Sequence, residues 1–406
     1  MKYIVMLGDG MADHPVEALG GKTPLSAAVK PNMDYIARKG IVGLINTVPE
    51  GMVPESDTAN LAVMGYDPRV YSKGRSPLEA ASMGIIMRDD ETAIRANVVT
   101  LGGDGDYDDL VMIDHSSGEI STEEARQLIE AVQEEFGTDY RRFYTGVSYR
   151  HCVIWRDCPD FTDFSRPHDI IGKRIGDHLP RSESSRPMLE LMRDSYKFLS
   201  KHPVNLKRVA EGKRPANSLW LWSPGKKPSL PSFKGMTGLD ASVVCAVDLI
   251  KGIGVCAGMK VPSVKGATGA LNTDYAAKRD AALNELANGA DLVYIHVEAP
   301  DECGHQGDPY DKIRSIENID KYILQGLIDE LRARGERFRI LLMPDHPTPV
   351  AVRTHTREPV PFAIYDSGDE KDSGVTSYDE ETVKSSGIFF TEGGEAMKLL
   401  LKADER

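Results

Sequence analysis

Cysteine is scarce and scattered. The five in this 406-residue chain (Cys152, Cys158, Cys245, Cys256, Cys303) are odd in number and form no CxxC pair. That argues against a disulfide framework or a thiolate zinc site and suits a reducing cytoplasm. Basic residues are outnumbered: 49 Lys and Arg against 62 Asp and Glu leave a formal charge of −13. Such a field repels polyanions, and no basic stripe with interleaved aromatics overrides it, so nucleic acid is not expected as a partner. Long apolar runs are missing too. Nothing approaches the ~20 residues of a membrane span, and the first run, Tyr3-Ile4-Val5-Met6-Leu7, stops at Gly8-Asp9-Gly10 before it reaches a signal-peptide core. It reads as a first β-strand of a soluble, cytoplasmic protein. An acidic protein that handles a small anion must gather positive charge locally, through metals or a few placed Arg and Lys.

What is present is α/β patterning. Short apolar strands alternate with helical stretches over the first ninety residues: a strand at 3–7, a helix near 32–39, a strand at 43–47. The last third repeats the pattern, with strands at 291–297, 339–344 and 361–365 and a helix over 313–334. Their β-branched and Leu-rich runs suit strands buried on both faces of a largely parallel sheet. Between these parts the texture changes, with an acidic helix at 123–136, Arg141-Arg142, and a Pro/Ser/Arg-rich segment at 180–187. A smaller inserted α+β domain is expected at 92–215, with a core domain at 1–91 and 216–406. Residues 217–222 read as a return to the main sheet and 243–250 as a helix within it.

Four motifs sit where strands end and loops begin, the place at which open α/β sheets bind ligands. Asp9 follows the first strand. Asp301 and His305 follow the strand ending at Val297, Asp345 and His346 follow the strand ending at Pro344, and His355 stands in Arg353-Thr354-His355-Thr356-Arg357. Three Asp with three His could hold a pair of divalent ions, and two ions ~3.5–4 Å apart clamp an in-line phosphoryl displacement. Ser56, in Pro54-Glu55-Ser56-Asp57-Thr58-Ala59-Asn60, enters a helix and is the candidate nucleophile. Taken singly each residue has a plainer reading: Asp9 a turn, Asp301 and His305 a surface i,i+4 pair, His355 a loop histidine, Ser56 an N-cap. Their joint placement at successive strand ends is hard to obtain by accident.

With those residues in hand the chain resembles the cofactor-independent phosphoglycerate mutases, in the shorter form known from archaea and some bacteria. The resemblance covers most of the length. It rests on the Gly8-Asp9-Gly10 start, Glu55-Ser56-Asp57-Thr58-Ala59-Asn60, Arg75-Ser76-Pro77-Leu78-Glu79-Ala80-Ala81, Asp114-His115-Ser116-Ser117-Gly118-Glu119-Ile120, and Glu298-Ala299-Pro300-Asp301-Glu302-Cys303-Gly304-His305. It implies the alkaline phosphatase superfamily: a metal-bearing core with an inserted substrate-binding domain closing over it. By motif, Asp301, His305 and His355 would hold one ion, and Asp9, Asp345, His346 and the Ser56 oxygen the other. Manganese is the first expectation, with magnesium, zinc or cobalt as alternatives, and no bisphosphoglycerate is required. Ser56 would take the phosphoryl group of a phosphoglycerate and return it to the other hydroxyl, an isomerisation that fails if water enters.

The anionic substrate needs fixed charge. The candidates are His115, Arg150, His151, His168, Asp169 and Lys251, each of which could equally be solvated or structural. Alternatives on the same fold are a homoserine kinase-like phosphotransferase, although no GxxxxGK[ST] loop is present, a metal-dependent phosphatase or phosphodiesterase, and a catalytically silent binding domain. A monomer is expected, since closure of two domains of one chain needs no partner.

Overall fold

The computed structural model describes residues 1–402. Along the chain the strands are β1 (Lys2–Gly8), β2 (Ile41–Ile45), β3 (Glu91–Gly102), β4 (Val111–Asp114), β5 (Arg141–Val147), β6 (Arg150–Arg156), β7 (Ser218–Lys226), β8 (Ala241–Val244), β9 (Leu292–Val297), β10 (Phe338–Met343), β11 (Val360–Asp366) and β12 (Phe389–Phe390). Two compact units divide them, one made of 1–72 with 229–406 and the other of 73–228. No helix among the described residues is long and apolar enough to cross a membrane.

The first unit is built on a seven-stranded sheet in the order β12-β2-β11-β10-β1-β9-β8. β1 runs parallel to β10 and β9, and β8 parallel to β9; β11 is antiparallel to both its neighbours. This is the largely parallel α/β core expected from the strand runs. Every residue of β9 and β10 is buried, as strands covered by helices on both faces must be. The helical stretch expected at 313–334 begins at Pro309 and passes through a π-helical turn, Ile319–Leu324, before ending at Ala333. That turn sets the buried Asp320 carboxylate against the amides of Asn32 and Met33. These are orphan donors of the first turn of the helix Pro31–Arg38.

The second unit holds an antiparallel sheet in the order β4-β3-β6-β5, with β7 also paired to β3. It starts earlier and ends later than the change in texture suggested. The helix Ser76–Ser82 packs on β3 and β7, and β7 itself belongs here. Residues 217–222 therefore do not return to the main sheet. Leu219, Trp220, Leu221 and Trp222 are buried in the core of the second unit, and Trp222 Nε1 donates to Asn97 Oδ1 at 3.0 Å. A continuous apolar run tells that both faces are covered, but not which sheet covers them. The helix expected over 243–250 also needs correction. Ala241–Val244 is β8, parallel to β9, and the helix begins only at Asp248; the β-branched pair Val243-Val244 packs as strand.

In the second unit Asp114 closes the Asp-His-Ser-Ser-Gly-Glu turn. Its Oδ1 accepts from the Ser116 amide at 2.9 Å, and its Oδ2 accepts from the Gly118 amide and from Arg214, both at 2.6 Å. Burial alone would raise the carboxyl, but these donors prevail and bring it down to about 2. The turn passes through left-handed backbone at Ser117, Gly118 and Glu119 and presents His115 at its start.

Candidate active site

The carboxyl ends of β1, β9 and β10 converge in the first unit, and the segments that follow them carry Asp9, Asp301 and Asp345. Gly10 lies between them at φ +61°, where a Cβ would stand 2.7 Å from Asp301 Oδ1 and 2.5 Å from Thr348 Oγ1. Only glycine permits that approach. Asp301 and His305 lie one turn apart on the helix Ala299–Gln306. Asp301 is 5% exposed, so the two are not a surface helix pair.

The seven residues read as ligands or nucleophile form one contiguous cluster. His305 Nε2 is 3.2 Å from Asp301 Oδ2 and 3.1 Å from His355 Nε2, and His355 Nε2 is 3.4 Å from Asp301 Oδ1. The His355 and His346 rings stack at 3.9 Å between centroids. His346 Nε2 lies 3.6 Å from Asp9 Oδ1, 3.5 Å from Asp345 Oδ2 and 3.3 Å from Ser56 Oγ. Two sets of ligand atoms, from Asp301, His346 and His355 and from Asp9, Asp345 and His346, each fall within 4.8 Å of one another. His346 thus stands where the two sets meet. Ser56 is the first residue of the helix Ser56–Val63, whose N-cap is Glu55. The plainer reading of Ser56 as N-cap does not describe it.

The electrostatics suit a cation. Burial, then Asp345, Asp301 and Glu298, push the Asp9 carboxyl well above its usual range. Burial would raise Asp301 too, but hydrogen bonds with His305 and His355 hold it well below. Its hydrogen bond with Asp301 raises His305 to about 9. Burial lowers the His346 imidazole. Carboxylates packed this closely either share protons or neutralise a metal, and Asp9 Oδ1 has no hydrogen-bond partner among the described residues.

Several ligands are held by groups that themselves touch the chain. His355 Nδ1 faces the Pro54 carbonyl at 2.8 Å, and His305 Nδ1 the Arg353 carbonyl at 3.0 Å, contacts that orient a ligating imidazole. Asn60 ends the Ser56 motif, where no local pattern marks a role for it. Fully buried, it donates to the Ser56 carbonyl at 2.9 Å and to Asp345 Oδ2 at 2.8 Å, and accepts from Tyr294 Oη at 2.7 Å. Asn60→Ala would leave the Tyr294 hydroxyl without that acceptor and loosen Asp345, at a cost of about 1–3 kcal/mol. Urea unfolding should register that loss, and an unchanged midpoint would show that the network relaxes freely. His296 was likewise passed over, as one member of an apolar strand run. It is fully buried, burial pushes it down to about 4, and its Nε2 lies 3.0 Å from Asp9 Oδ2.

The substrate-binding candidates fall in both units. In the second unit, His115 meets Tyr149 edge-on at 5.4 Å and His168 at 6.1 Å, and His168 meets Trp222 at 5.7 Å. Arg150 is exposed, with its guanidinium 5.6 Å from the Tyr149 ring centre, and Asp169 is exposed beside His168. His151 is packed inside, its Nδ1 accepting from the Gly146 amide at 3.2 Å, and burial pushes it down to about 3. Lys251 belongs to the first unit, paired with Asp248 at 3.0 Å.

Comparison with known proteins gives this geometry its family. Residues 37–205 match the family model described as 2,3-bisphosphoglycerate-independent phosphoglycerate mutase. A protein of that name from Methanothrix thermoacetophila is 49% identical over 99% of this chain and 100% of its own length. Among solved structures, a Pyrococcus horikoshii protein superposes with a TM-score of 0.82 at 28% identity, covering 100% of this chain and 98% of that one. A cofactor-independent phosphoglycerate mutase from Thermoplasma acidophilum superposes at 0.66 with 27% identity over 99% of both chains. At this identity and coverage the chain belongs to the 2,3-bisphosphoglycerate-independent phosphoglycerate mutase family.

Proposed function

We propose that the chain interconverts 3-phosphoglycerate and 2-phosphoglycerate through a phosphoserine at Ser56, beside two divalent ions and without bisphosphoglycerate. The observation that carries this reading is the contiguous cluster of three Asp and three His, with the Ser56 hydroxyl at its edge, 3.3 Å from His346 Nε2. Asp301, His305 and His355 would hold one ion, and Asp9, Asp345, His346 and Ser56 the other. When bound, such ions lower the pKa of a nearby hydroxyl and neutralise phosphoryl charge.

The chain's own groups do the rest. Ser56 Oγ attacks phosphorus, forming one P–O bond as the bond to the glycerate oxygen breaks, and the proton lost by serine returns to that oxygen. The glycerate turns, its other hydroxyl attacks the phosphoserine, and Ser56 recovers its proton. His355 and His346, stacked, and Asn60, tied to Ser56 and Asp345, keep this geometry fixed. His115, Arg150, His168, Asp169 and Lys251 are the proposed contacts for the carboxylate, phosphate and hydroxyls. His151, packed inside, is not among them.

A coupled assay tests the proposal: 3-phosphoglycerate with Mn2+ and no bisphosphoglycerate should yield 2-phosphoglycerate with little inorganic phosphate. Predominant phosphate release would make the protein a phosphatase. Phosphorylation of homoserine from a nucleotide, with no mutase turnover, would replace the reading altogether.

A further inference from the structure

Two residues in contact contribute three buried atoms without hydrogen-bond partners among the described residues: Asp9 Oδ1 and both ring nitrogens of His296. His296 lies inside β9, opposite Leu7 of β1. Its carbonyl accepts from the buried Lys278 ammonium at 3.1 Å, and the Asp9 amide donates to the next carbonyl, Val297 O, at 2.9 Å. The two backbones are therefore fixed against each other. His296 Nε2 comes within 3.0 Å of Asp9 Oδ2, yet the ring N–H is not aligned for a hydrogen bond. The distance sets the pairing, and a small rotation of the Asp9 carboxylate would complete it.

Buried polar nitrogens in native cores are nearly always satisfied, and exceptions call for a reason. A histidine kept only for packing on an apolar strand gains nothing from facing a carboxylate. Asp9 offers its two oxygens to different neighbours: Oδ2 faces His296, while Oδ1 faces His346 Nε2 at 3.6 Å and the ligand atoms of Asp345. We propose that His296 is a positioning residue for Asp9: its Nε2–H holds Oδ2 and so turns Oδ1 toward the Asp345 and His346 ligand set. The proposal rests on the two-ion reading above. It adds a group that the motifs did not point to, and one that acts on a single ion.

The test is metal binding, not turnover. Full-length protein stripped by chelation is titrated with Mn2+ in a calorimeter, as wild type, His296→Gln and His296→Asn. The glutamine amide nitrogen overlays Nε2 of an imidazole, whereas that of asparagine overlays Nδ1, so only glutamine keeps the donor. Wild type should bind two ions. His296→Asn should bind one unchanged and the other 10–100-fold more weakly, the usual effect of losing a group that orients a ligand. His296→Gln should recover most of the loss. Absorption of the Co2+-loaded proteins should stay the same in band position and intensity, because the number of ligands does not change. Equal affinity of all three proteins for both ions would reduce His296 to packing and overturn the proposal. So would a Co2+ spectrum of His296→Asn showing an altered coordination number, which would make His296 a ligand. A wild type that binds fewer than two ions would instead remove the two-ion reading. Urea unfolding of the chelated proteins identifies any loss that comes from misfolding.

Discussion

Ser56→Ala is expected to abolish phosphoryl transfer while leaving the protein folded and able to hold metal. The side chain removed is small and does little for the fold: the N-cap of the helix it opens is Glu55, and among the described residues the Ser56 hydroxyl has His346 Nε2 as its one hydrogen-bond neighbour. Asp301, His305 and His355 hold one another through contacts that do not involve the Ser56 side chain, so at least that ligand set should survive. Loss of a covalent nucleophile, by contrast, lowers turnover by several orders of magnitude, on the order of 10⁴-fold or more. Rapid quench of the wild type with phosphate-labelled substrate should leave label on the protein, and the variant should retain none. The two roles of Ser56 differ in kind. A variant that turns over at the wild-type rate and melts slightly earlier would show a structural serine and end the phosphoserine mechanism.

How much of this could be seen in the sequence depended on whether one residue type carried both position and chemistry. Asp9, Asp301 and Asp345 could be picked out because a carboxylate directly after an apolar strand is conspicuous, and parallel strands deliver their carboxyl ends to one side. The largely parallel sheet followed from continuous apolar runs, which β9 and β10 bury completely. The same signal misled at 217–222, because burial on both faces does not name the partner strand, and only the register of β7 on β3 places that segment. His296 was hidden inside such a run, where a histidine reads as one more covered residue until Asp9 is found 3.0 Å away. Asn60 lay inside a motif already assigned to its serine. Its three hydrogen bonds reach residues as far away in sequence as Asp345 and Tyr294, and no local pattern encodes them. His151 is the opposite case: beside Arg150 it reads as a charged contact, yet β6 is buried from His151 to Ile154 on both faces and only its first residue, Arg150, is exposed.

Removing the metals should be the second large effect, and pH gives it a signature that simple loss of activity does not. In the metal-free protein Asp301 sustains a protonated His305, raised to about 9, and it raises His355 against the opposing effect of burial. A histidine raised in the folded state contributes stability that is complete below its unfolded pKa, about 6.5, and lost as pH climbs through the folded value. Burial pushes Asp9 upward as well by penalising its charged form, and a raised carboxyl, like a raised histidine, makes the folded state weaker as pH rises. His346, lowered by burial, is neutral in both states above pH 6.5 and silent there. The shifted groups of the cluster that act in this window therefore act in one direction; the buried Lys278, pushed down to about 8, acts the opposite way at its upper end, with or without metal. Chelated protein should lose melting temperature steadily from pH 6.5 to 9, as the cluster gives up the protons that stand in for cations. With Mn2+ restored the ions replace those protons, so binding should release protons into a weakly buffered solution, the melting temperature should rise, and its dependence on pH over the same window should flatten. Turnover should be absent after chelation and return with the metal. Equal pH slopes with and without Mn2+ would mean that the cluster is satisfied by its own hydrogen bonds, and that three buried carboxylates can meet at the ends of β1, β9 and β10 with no cation between them.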